Sequence, residues 1–269
     1  MTIQWYPGHM ARAKRMIKEE LTLVDGILEV VDARVPLSSR NPHIQELTEK
    51  PRLMVLTKTD LADPVQTALW ITYWKDQGEK IVGVDLLKGQ GLAELRHLVA
   101  QTFPYLKRVP RLMVLGIPNV GKSTLINGLT RRRGAQVGAK PGITKGKQWL
   151  SASGMLLLDS PGILWPKFDD QAVAKRLALI ASIRDEVFDP VEIAGWLLEF
   201  LKVRYAHALH ERYGYIDGED SLEEIGRSRG CLLRGGVVDL NGAAAVVLKD
   251  FRTGRLGAVT LDQSPESEV

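Results

Sequence analysis

Cysteine is almost absent from the chain: Cys231 is the only one in 269 residues. An internal disulfide and a multi-thiolate metal centre are therefore excluded, and a lone thiol fits a reducing compartment. Long apolar runs are also missing, and none approaches the about 18–20 residues that span a bilayer. The first twenty residues, MTIQWYPGHMARAKRMIKEE, lack an apolar stretch followed by a small-residue cleavage site. No secretory signal is expected, Trp5–His9 reads as a built feature rather than a leader, and a cytoplasmic location is the default. Internal repeats and low-complexity segments are absent. Hydrophobic residues at 45% and charged residues at 25% are ordinary for a globular chain. The length suggests one large or two modest domains.

Acidic residues are missing from two segments. Residues 1–18 carry four bases and no acid. Residues 117–158 carry seven bases (Lys122, Arg131, Arg132, Arg133, Lys140, Lys145 and Lys147) and again no acid. The formal net charge of +4 hides this asymmetry. Residues 1–165 hold 23 basic against 14 acidic side chains, and residues 166–269 hold 13 against 18. Acid-free basic stretches imply an anionic partner, nucleotide phosphate, nucleic acid or both, with a solvated basic face as the competing reading.

Apolar, β-branched runs at 26–32, 52–57, 80–84, 111–116 and 155–159 read as strands. They alternate with amphipathic stretches at 64–77, 91–102 and 121–129 that read as helices; Leu69, Tyr73 and Trp74 lie on one side of the first of these. The basic N-terminus is helix-like from about Ala11. Continuous apolar strands alternating with helices indicate an α/β fold, a mostly parallel sheet covered on both faces. After Pro166 the pattern becomes helical, at 172–184, 191–204, 221–226 and 240–251, with Asp189-Pro190 as a helix start. The expected organisation is an N-terminal basic arm (1–20), an α/β domain (21–166) and a small all-helical domain (167–269). Its acidic end, 264–269, is expected to fray.

Gly116-Ile117-Pro118-Asn119-Val120-Gly121-Lys122-Ser123 matches G-x-x-x-x-G-K-[ST] in full, after a strand and before a helix. In such a loop, backbone N–H groups from Asn119 to Thr124 and the helix N-terminus cradle phosphates. Lys122 is placed to reach the β and γ phosphates and Ser123 to ligate Mg²⁺. Asp159-Ser160-Pro161-Gly162 resembles the D-x-P-G box of GTPases, with Asp159 toward Mg²⁺ and Gly162 toward the γ-phosphate. Thr57-Lys58-Thr59-Asp60 resembles the guanine box [NT]-K-x-D. Asp60 can accept from guanine N1–H and N2–H₂ together, whereas adenine offers no such donor pair. An ordinary strand-end turn is the competing reading. Thr57 replaces the commoner Asn, so the tether that amide provides is weaker or replaced. Val84-Asp85 sits where a base-backing loop belongs but lacks the usual Ser-Ala.

The guanine box precedes the phosphate loop, the reverse of ordinary small GTPases. Because every nucleotide contact comes from loops at one end of the sheet, termini can move without disturbing them. In this order the sequence resembles the circularly permuted GTPases of the ribosome biogenesis GTPase A family. The resemblance rests on WYPGHMARA (5–13), DARVP (32–36), SSRNP (38–42), TKTD (57–60), KGQG (88–91), GIPNVGKS (116–123), KPGIT (140–144), DSPG (159–162) and DPVE (189–192). It implies a circularly permuted phosphate-loop GTPase domain. The implied protein is a monomer that binds GTP or GDP with Mg²⁺, joins the precursor of the large ribosomal subunit through rRNA and ribosomal proteins, and is stimulated by it during late assembly. Other readings are a phosphate-loop kinase or ATPase, which needs no guanine box, and an organellar assembly GTPase of the same family.

The position after Gly162 is Ile163, which cannot orient water as the glutamine of ordinary GTPases does. The resemblance points to His9 as the catalytic group; packing of the arm is its other reading. It also points to Thr144 as a ligand of Mg²⁺ and the γ-phosphate. In related GTPases an Asn at position 119 is linked to K⁺, with simple loop hydrogen bonding as the alternative. Arg227, Arg229 and Arg234 are the bases available for rRNA in the helical part. His207 and His210 read as surface or core histidines, and no Cys/His cluster has zinc spacing.

Overall fold

The computed structural model describes residues 10–130, 149–152, 154–160, 162, 170–214 and 220–265. Six strands form one sheet in the order β3-β2-β1-β4-β6-β5. They are β1 (Gly26–Asp32), β2 (Arg52–Thr57), β3 (Lys80–Gly83), β4 (Arg111–Leu115), β5 (Trp149–Ala152) and β6 (Met155–Asp159). The first four pairings are parallel, and β5 runs antiparallel to β6 at the edge. The helices α1 (Met10–Leu21), α2 (Ile44–Leu47), α3 (Pro64–Asp76), α4 (Leu92–Thr102) and α5 (Lys122–Thr130) accompany the sheet. The helical part comprises α6 (Gln171–Leu179), α7 (Pro190–Arg204), α8 (Ala206–Tyr213), α9 (Ser221–Ser228) and α10 (Leu240–Arg252).

Strand alternation sorts the core onto two faces. Leu28, Val30, Leu53, Val55, Leu112 and Val114 face α4 and α5, in a cluster that continues into Leu197, Val247, Phe251 and Leu261 of the helical part. Ile27, Met113 and Leu115 meet Ile17 and Leu21 of α1 on the opposite face. Val31, Met54 and Leu56 meet Trp70 and Trp74 of α3 there too. Both faces are covered, which is why the strands read as continuous apolar runs.

Several sequence expectations need correction. In α3 the buried face is Trp70 and Trp74; Leu69 and Tyr73 are half-buried. The helix expected at 172–184 stops at Leu179, because Ala181 takes a left-handed φ of 59° and closes the turn. Strand β5 and helix α8 escaped notice. The first is a four-residue half-buried edge with no clear alternation, and the second follows α7 with only Tyr205 between them. The chain end is not frayed at Ser264, which is 1% exposed and donates its N–H to Gln66 Oε1 at 3.0 Å.

That end is a strap across the α/β part. Val259 N–H donates to Leu61 O, and Leu261 N–H to Arg34 O. The Trp70 indole donates to Asp262 O at 2.9 Å. The Asp262 carboxylate accepts from Ser38 N–H and Oγ. Burial pushes the Asp262 carboxyl up, and Arg176 and Ser38 oppose it. Among the described residues, no helix is long and apolar enough to cross a membrane.

Trp70→Ala should lower unfolding free energy in urea by about 3–5 kcal/mol, the usual cost of deleting a large core aromatic. Limited trypsin digestion should then cut at Arg255 faster, because the strap loses its indole anchor.

Candidate functional site

The strands run parallel from β3 to β6, so the loops after β1, β2, β4 and β6 leave from the same edge. β2 and β3 are added on one side of β1, and β4 and β6 on the other, so the strand order reverses between the parallel neighbours β1 and β4, the crevice where open α/β sheets bind ligands. Both motif loops lie there. A Cβ at Gly116 would come 2.6 Å from the Val30 carbonyl oxygen, so only glycine lets the phosphate loop leave β4 this close to β1. A Cβ at Gly162 would come 2.8 Å from Pro118 N and 2.9 Å from Lys122 Nζ, so the end of β6 packs directly on the loop.

Lys122 opens α5 and is 8% exposed. Its ammonium donates to Ile117 O at 2.7 Å and Gly116 O at 3.2 Å. Burial pulls its pKa down to about 8, against the attraction of Asp159. The Asp159 carboxyl is raised by desolvation, with Lys122 opposing. Ser123 and Thr124 follow on α5, both half-buried.

The Thr57-Lys58-Thr59-Asp60 turn docks on the phosphate loop. Thr57 is fully buried, and its hydroxyl lies 2.5 Å from Val120 O and 3.0 Å from Val31 O. Its one hydrogen serves one carbonyl at a time. Of the two expectations for a box without Asn, a weaker tether or a replaced one, the structure has a threonine hydroxyl in the amide's place. Lys58, in the left-handed region at φ 58°, donates to Asn119 O at 2.6 Å and pairs with Asp32 at 2.8 Å. Burial lowers the Lys58 pKa, against the pull of Asp32. Asp60 is exposed beside it. Val84 is buried, and its N–H donates to Leu56 O. The Asp85 carboxylate accepts from the N–H groups of Leu87 and Lys88, so it shapes its own turn. His9, Thr144 and Ile163 lie outside the described residues.

Two groups of residues here had no role assigned from sequence. Asp32 is completely buried and accepts two side-chain bonds from Arg34, at 3.0 and 2.8 Å, besides the Lys58 pair. Burial would raise its carboxyl, but Arg34 and Lys58 outweigh that and hold it far below the usual range. Asp at a strand end with Arg two residues on is the signal that could have found this pair. The second group is Ala181 and Ser182, which touch Asn119 and Pro118; no sequence signal marks them.

The family of 50S ribosome-binding GTPases matches residues 111–206. Ribosome biogenesis GTPase A of Bacillus cereus is 43% identical over 99% of this chain and 95% of that protein. The chain belongs to the ribosome biogenesis GTPase A family. Mitochondrial ribosome-associated GTPase 1 of Xenopus tropicalis is 36% identical over 96% of this chain and 94% of that one. The GNP-bound structure of YlqF from Thermotoga maritima superposes with a TM-score of 0.70 at 28% identity, over 94% of this chain and 99% of that one. The protein is therefore a GTPase of ribosome biogenesis, which takes GTP to GDP, usually with Mg²⁺, and the kinase or ATPase reading falls away.

Among the described residues, no three His, Cys, Asp or Glu side chains gather as a metal site. Lys122→Met should cut GTP affinity by at least about 100-fold while raising the stability of the nucleotide-free protein by about 1–3 kcal/mol, since a lysine pKa depressed in the fold marks a penalty on the buried charge. The sign follows from that depression. The unfolded chain holds the proton more tightly, so wild-type stability gains as pH rises from about 8 toward lysine's ordinary 10.5. Lys122→Met should lack this gain in denaturant titrations across that range.

Proposed function

We propose that this GTPase binds GTP between a guanine box and a phosphate loop in circularly permuted order, and uses it as a binding switch on the large ribosomal subunit precursor. One observation carries the reading: Thr57 and Lys58 bond directly to the carbonyls of Val120 and Asn119, although the box precedes the loop in the chain. Asp60 reads the guanine edge, and Val84-Asp85 backs the base. The N–H groups of Asn119–Thr124 and the Lys122 ammonium hold the phosphates. When phosphate oxygens enter, they replace Gly116 O and Ile117 O as partners of Lys122, which removes the cost of its buried charge. Gly162 senses the γ-phosphate.

Ser123, Asp159 and Thr144 would hold Mg²⁺, which supplies charge neutralisation between the β and γ phosphates. Their hard oxygen donors fit that ion. His9 orients the attacking water, as a group suited to polarising water near neutral pH. Asn119 has its amide nitrogen engaged by Ala181 O, which turns its oxygen to the other side as a K⁺ ligand. The helical part, 167–269, faces rRNA with Arg227, Arg229 and Arg234, and the protein acts as a cytoplasmic monomer in late assembly.

Co-sedimentation with ribosomal subunits in GDP or a non-hydrolysable GTP analogue tests the reading. Enrichment with large-subunit precursors in the analogue is expected, and absence from those fractions with either nucleotide would overturn it. His9→Ala should abolish most particle-stimulated hydrolysis with GTP affinity within a few fold. Turnover should be higher in KCl than in NaCl; equal rates would remove Asn119 from the ion's shell.

A further inference from the structure

The phosphate loop is held by the helical part as well as by the sheet. Ser182 Oγ, 4% exposed, donates to Pro118 O at 2.6 Å. Asn119 Nδ2 donates to Ala181 O at 2.5 Å. Among the described residues, two of the three non-glycine positions with positive φ meet here, Asn119 at 62° and Ala181 at 59°. Asn tolerates this region through its amide; alanine has no such relief, and the position after a helix end usually goes to glycine.

The geometry at Ala181 is that of a helix stop. Its N–H donates to Ala178 O, and Ser182 N–H reaches back to Leu177 O. The turn is also clamped from behind. Arg252, the last residue of α10, donates to Ala178 O at 3.0 Å and Leu179 O at 3.1 Å. The same guanidinium grips both oxygens of Asp185 at 2.9 and 2.7 Å. Ile180 and Ile183 flank the turn at 2% and 1% exposure. A continuous set of bonds thus runs from the end of α10 through the end of α6 into Pro118 and Asn119. The family match over 111–206 covers the loop and this turn together.

We infer that Ser182 and Ala181 are positioning residues for the phosphate loop, and that Arg252, by fixing their turn, lets the helical part set the rate of nucleotide release. The inference rests on the reading that 116–123 cradles the phosphates. A displacement of α10 by a bound particle would loosen Pro118 and Asn119, next to the N–H groups that face the phosphates.

Release of a fluorescent GDP analogue from the full chain, followed by stopped flow, tests this. Ser182→Ala and Arg252→Gln should each speed release by about 5–20-fold, the value of one buried hydrogen bond. The double variant should be no faster than the faster single one, because both act through one turn. Val247→Ala in α10 removes core volume without touching this set of bonds, and it should lower the melting temperature while leaving release within twofold of wild type. Release within twofold of wild type in Ser182→Ala would overturn the inference, as would equal acceleration by Val247→Ala. Retention of GDP by Lys122→Met would instead overturn the phosphate-loop reading beneath it.

Discussion

The carboxylate of Asp32 is the point on which the site depends. It ends β1 in complete burial and is the shared counter-charge of Arg34 and Lys58. An unpartnered charge at such depth costs about 3–5 kcal/mol, so the three groups hold only as a set. Lys58 carries the order into the guanine box and the carbonyl of Asn119. Arg34 carries it the other way, with its guanidinium 5.1 Å from the centre of the Phe251 ring in α10 and its carbonyl bonded to Leu261 N–H. One buried acid therefore links the sheet, the 57–60 loop and the helical part.

The phosphate loop is built against its own stability. Lys122 is a cation among carbonyl oxygens, with Asp159 as its counter-charge among the described residues. Asn119 and Ala181 hold left-handed φ values. Strain and uncompensated charge of this kind gather where a ligand will resolve them. The surrounding clamps from Thr57, Lys58 and Ser182 hold the loop in shape.

Much of this was legible in the chain. The strands β1, β2, β4 and β6 are continuous apolar runs because both faces of the sheet are covered, and such runs stand out against amphipathic helices. Where burial is partial the signal fades, as in β5 and in α3, where Trp70 rather than Leu69 turned inward. The stop of α6 at Leu179 was hidden because alanine, a strong helix former, occupies the left-handed position that glycine would have advertised.

The sequence alone carried the local patterns, G-x-x-x-x-G-K-[ST] at 116–123, T-K-x-D at 57–60 and D-x-P-G at 159–162, and with them the resemblance to the family that the relatives show. These are local patterns, and the backbone physics behind each is carried within a few residues. Tertiary structure decided which residues make those patterns work together. Thr57 replaces an asparagine tether only because β2 brings it under Val120. Asp32 matters only because burial removes water as a competitor for Arg34 and Lys58. Ser182 reaches Pro118 across 64 residues, a contact that depends on how α6 and α10 pack and that no local pattern encodes.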